Sequence, residues 1–82
     1  MGLSMKYQLR IIKWADSYTI DGWNKEINLD PCIVISVGWV VKEDDIHIAL
    51  APTISNFEDE PDSKYAEVLV IPKVSIISSD LQ

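Results

Sequence analysis

At 82 residues, 48% hydrophobic and 24% charged, with three Gly and four Pro, the chain has the make-up of one ordinary globular domain, without low-complexity tracts or repeats. Seven basic residues against 13 acidic ones give a net charge of −6. Such a balance speaks against nucleic acid or anionic lipid as partner, because both are bound through clustered Lys and Arg. No stretch reaches the roughly 18 apolar residues a membrane-spanning helix needs. Lys6, Arg10 and Lys13 interrupt any secretory signal, so no export is implied, and the single cysteine, Cys32, cannot form an intrachain disulfide, which is compatible with a reducing cytoplasm as the expected location. Met5 offers a second start, which would leave Met1 to Ser4 as a leader.

In chain order, the first strand runs from Lys6 to Trp14, where Tyr7, Leu9 and Ile11 alternate with Gln8 and Arg10. Residues 16–31 lose that period, carry Asp, Ser, Gly and Asn, and read as a long loop with at most one helical turn between Asn24 and Leu29. Cys32 to Val41 is a strong strand with Ile33, Ile35, Val37, Trp39 and Val41 on one face and a bulge or bend expected at Gly38. Lys42 to Asp45 makes a charged turn, and Ile46, Ile48 and Leu50 form a third strand that stops near Pro52. Ser55 to Lys64 reads as an acidic, mobile turn region. Tyr65 to Ile71 is a fourth strand, Pro72 to Val74 a tight turn, and Ser75 to Ser78 a short fifth strand.

This layout predicts an all-β fold, a five-stranded SH3-like small barrel with a long first loop, in a single domain. An OB-like barrel would need a helix between strands three and four, and Pro61 breaks the only segment available. Val34 and Val40 in the second strand, and Val68 and Val70 in the fourth, make those strands apolar on both faces. Barrel curvature would hide part of the second face, but no helix is available to cover the rest, so the expectation is a homodimer or higher oligomer with these four valines at its interface.

Catalytic and metal signatures are weak. His47 is the sole imidazole and no spacing ties it to a nucleophile such as Ser17 or Cys32, so it reads as a solvent-facing or interface residue and the chain as a non-enzyme. Cys32 has no basic neighbour to activate its thiol. The run Glu58-Asp59-Glu60-Pro61-Asp62 lacks the spacing and the glycine of a calcium loop, so neither metal nor cofactor is expected.

The segment KWADSYTIDGW, Lys13 to Trp23, carries the one candidate site. In one reading Trp14 and Trp23 plug the end of the core while Asp16 and Ser17 fix the turn. In the other, Trp14, Tyr18 and Trp23 form an aromatic platform, Asp16, Ser17 and Asp21 add directional polar groups, and Gly22 lets a ligand approach the backbone. Taken together, W-A-D-S, G-W, I-S-V-G-W-V-V-K-E-D-D and V-I-P-K-V-S-I resemble a family of short uncharacterised proteins encoded by bacteriophages and prophages, over about Ile11 to Ile77. The resemblance implies a phage origin and expression inside a bacterial host, and it brings no activity. By analogy, small phage accessory proteins often act by binding host factors, which leaves two expectations: a binding module for a host protein, or an oligomeric sponge holding a small molecule or nucleotide between subunits.

Overall fold

The computed structural model describes residues 6–58 and 60–82; the suggested leader, Met1 to Ser4, and Asp59 of the acidic run lie outside them. Seven strands form in chain order: β1 Leu9–Asp16, β2 Cys32–Glu43, β3 His47–Ala51, β4 Thr53–Ser55, β5 Lys64–Ala66, β6 Leu69–Pro72 and β7 Ile76–Leu81, with 3₁₀ turns at Glu60–Asp62 and Lys73–Ser75. Five of them make one antiparallel sheet in the order β6-β3-β2-β1-β7, while β4 and β5 pair as a separate hairpin. The fold is therefore mostly β. Among the described residues no pairing joins the two outermost strands, so the sheet is open.

Element boundaries differ from the sequence reading where backbone geometry intervenes. The anticipated fourth strand splits into β5 and β6 at Glu67, which adopts φ 58°. The anticipated mobile loop is the turn of the β4–β5 hairpin, held by Ser63 Oγ donating to the Asn56 carbonyl at 2.8 Å and by the left-handed φ of 51° at Asn56. No helical turn forms between Asn24 and Leu29. The bulge in β2 falls between Val40 and Lys42, and Gly38 lies in regular pairing.

Gly38 has a different task. A Cβ there would lie 3.1 Å from the Leu50 Cβ and 3.2 Å from the Ala51 carbonyl oxygen, so its hydrogen lets β3 press closely across β2. The register pairs Trp14 with Val34 and Ile12 with Ser36, which turns the even-numbered residues of β1 and β2 inward. Ile12, Trp14, Ile48, Leu50 and Ile71 form the core, with Val34, Val40, Leu69 and Ile76 packed against it. These side chains share one face of the sheet, where the small Ser36 and Gly38 leave room for Trp14 and Leu50. Ile33, Ile35 and Val37, assigned to the core face by their alternation, point outward and are exposed.

One end of the outer face is covered. Phe57, in the turn of the β4–β5 hairpin, lies edge-on to Trp39 with ring centroids 5.0 Å apart and to Tyr7 at 5.3 Å, and the Tyr7 and Tyr65 hydroxyls hydrogen-bond at 3.0 Å. This aromatic cap buries Tyr7 on the outer side of the sheet. The rest of that face has no second layer among the described residues.

Candidate functional site

β1 and β2 end together at the Asp16–Cys32 pair, and the chain between them leaves the sheet as an arm in which every residue from Ser17 to Pro31 is exposed. The polar residues of the arm brace it internally. Asp16 Oδ1 accepts the Ser17 amide at 2.8 Å, fixing the turn out of β1. Tyr18 Oη donates to the carbonyls of Asn28 and Asp30, lacing the outgoing limb to the returning one. At the tip, Asn24 Nδ2 donates to the Asp21 carbonyl at 3.1 Å and to the Gly22 carbonyl at 3.3 Å. Gly22 has φ 80° with nothing within 4 Å of where a Cβ would be, so its role is to turn the chain. Asn28 Nδ2 donates to Asp30 Oδ2 at 2.9 Å and stiffens the return.

The two tryptophans of the segment part company. Trp14 is buried on the inner face and donates its indole N–H to Ser36 Oγ at 3.0 Å, so it belongs to the core and leaves the aromatic platform. Trp23 is fully exposed, which removes the reading in which it lids the core. Asp16, Ser17, Tyr18, Asp21 and Gly22 stay with Trp23 on the arm or at its base. The structure adds Ile20, Ile27 and Leu29, apolar residues exposed at 42%, 65% and 86%. Their signal in the sequence was three large aliphatic residues inside an otherwise polar loop. Between the limbs lies an open concavity of about 580 Å³ against which Tyr18, Ile20, Asn24, Glu26 and Asp30 stand.

The four valines assigned to an interface are also divided. Val34 and Val40 pack against the core from the inner face, because the β1–β2 register turns even-numbered residues inward; Val68 and Val70 are exposed near the sheet edge.

His47 opens β3 beside the β2–β3 turn. Its Nδ1 lies 3.7 Å from Asp44 Oδ1, an oxygen that already accepts the backbone amides of Ile46 at 2.8 Å and His47 at 2.6 Å. Those amides, that of His47 first, hold the Asp44 carboxyl below its ordinary value of 3.8. Lys73 Nζ meets Glu43 Oε2 at 2.7 Å and ties the turn after β6 to the end of β2. These groups build a hairpin. Among the described residues no cluster of three or more His, Cys, Asp or Glu has the arrangement of a metal site, and no helix is long and apolar enough to cross a membrane.

Comparison of the chain with protein families, curated proteins and solved structures finds no match.

Proposed function

We propose that this chain is a non-enzymatic binding module whose contact element is the arm between β1 and β2, and whose target is a protein. The observation that carries the reading is Trp23: a tryptophan fully exposed at the tip of a segment that its own hydrogen bonds hold in shape. Exposing indole to water is unfavourable, and aromatic anchors that enter a partner's pocket dominate the energetics of protein interfaces. A braced arm also loses little conformational freedom on binding. Asp21, Glu26 and Asp30 outnumber Lys25 along the arm, so the complementary surface is an apolar pocket with a cationic rim. The phage resemblance supplies the setting, a host protein in the bacterial cytoplasm. The last strand lies beside the first and follows a 3₁₀ turn, an order that supports an SH3-like scaffold beneath the arm.

The concavity between the limbs favours a second, weaker reading as a small-molecule sponge. Glu26 and Asp30 at its wall repel phosphates, so a nucleotide is a poor occupant and a neutral or cationic compound a better one. Capture from host lysate by wild type beside Trp23→Ala tests the first reading. A specific host protein retained by wild type and lost with the folded variant is the expected result; equal capture by both would remove it. A thermal-shift panel of nucleotides and amines tests the second, since a ligand at 100 times its Kd stabilises by about 2.7 kcal/mol.

A further inference from the structure

The exposed face of β1, β2 and β7 is chemically distinct from the rest of the molecule. Cross-strand rows run Asp80–Ile11–Val37 and Ser78–Lys13–Ile35, followed by Ala15–Ile33. Ile33, Ile35 and Val37 are exposed at 43%, 65% and 55%, and Ile11 is half-buried beside them. Charged groups in these rows are limited to Lys13 and Asp80, one of each sign, so the net charge of −6 resides on other surfaces. No ion pair among the described residues uses either of them.

We propose that this face is the contact surface for a second copy of the chain, packed sheet to sheet about a two-fold axis. The acidic surfaces of two copies repel each other, and this neutral apolar face is where they approach without that cost. A two-fold contact must be self-complementary. With strands about 4.8 Å apart and residues about 3.4 Å apart along them, an axis lying in the contact plane near Ile11 and Val37 brings each Lys13 to Asp80 of the second copy and sets the two Val37 side chains against each other. A strongly charged partner would gain nothing from such a face. Its apolar side chains offer on the order of 200 Å² per copy, below the standard interface of about 800 Å² per partner, so the dimer is weak and forms only at high protein concentration.

Sedimentation velocity of the full chain from about 10 μM to about 1 mM reads this out. Wild type should pass from monomer to dimer across that range. Val37→Asp places two carboxylates face to face and should raise the Kd at least tenfold, with the circular dichroism unchanged because residue 37 is an exposed strand position. Lys13→Glu should weaken the dimer and the double variant Lys13→Glu/Asp80→Lys should restore it, which a merely solvating role for either charge would not do. Trp23→Ala should leave the dimer untouched, so failure here and failure of the arm as a binding element are separately visible. A wild type monomeric to 1 mM, a Val37→Asp variant that dimerises like wild type, a charge-exchanged pair that does not recover, or association lost with Trp23→Ala would each overturn the proposal.

Discussion

The two tryptophans that bracket Lys13 to Trp23 should respond to truncation in opposite ways. Trp14 is nearly fully buried among Ile12, Leu50 and Val34 and bonds Ser36; Trp23 touches water on all sides. Removing a buried large aromatic costs about 3–5 kcal/mol, through lost transfer energy and the cavity left behind. A chain of this length has a total stability of roughly 4–12 kcal/mol, so Trp14→Ala should consume much of it. At about 4–8 °C per kcal/mol the melting temperature should fall by about 12 °C or more. Trp14→Phe keeps most of the ring volume but orphans the Ser36 hydroxyl, and should cost about 1–3 kcal/mol. Trp23→Ala should change stability by no more than about 0.5 kcal/mol, as for any exposed position without a structural role. Urea unfolding followed by far-ultraviolet circular dichroism measures all three, provided the m-values agree. A loss above about 1 kcal/mol for Trp23→Ala, or below it for Trp14→Ala, would refute the assignment of one to the arm and the other to the core.

Gly38→Ala should destabilise the fold by about 1–3 kcal/mol in thermal melts, because a methyl group there forces Leu50 and the Ala51 backbone apart, whereas Gly22→Ala should strain the arm and leave the melting of the sheet nearly unchanged. Phe57→Ala should cost about 2 kcal/mol and raise hydrogen exchange in the β4–β5 hairpin, since it removes the ring that joins Tyr7 and Trp39. The carboxyl of Asp44 is held below 3.8 by the amides of His47 and Ile46, so its contribution to the β2–β3 turn is fully present above that value and disappears as pH falls through the lower folded value. The Ile46 and His47 amide resonances should follow that titration, and Asp44→Ala should abolish it. Glu43→Gln should cost under about 1 kcal/mol in urea titrations, because both partners of the Lys73 ion pair are substantially exposed.

Local alternation and turn chemistry made much of this molecule legible. The β-branched runs of β1 and β2, the strand at Ile48 to Leu50, the charged turn read at Lys42 to Asp45 and the turn after Pro72 follow from propensity, and the polar segment after Asp16 marked itself as a loop. The sequence also pointed to an apolar second face. It did not reveal which face that was, because Ile33, Ile35 and Val37 form a more hydrophobic row than Val34, Ser36 and Val40, and alternation alone awards the core to the greasier row.

The pairing of β2 with its neighbours reversed that choice. Gly38 lies against Leu50 and Ala51 and Ser36 accepts the Trp14 indole N–H, so the small residues of β2 share the inner face with Trp14 and Leu50 while the larger Ile35 and Val37 are turned outward. The same logic separates Trp14 from Trp23: one sits in a paired strand whose register aims it inward, the other beyond the last pair at Asp16 and Cys32, where no neighbouring strand remains to cover it. Strand propensity is a property of neighbours in the chain, and the sequence by itself determined it. The side of a strand that meets the core depends on residues twelve to twenty-four positions away, Leu50 beside Gly38 and Val34 and Ser36 opposite Trp14 and Ile12, and only the tertiary structure decided that.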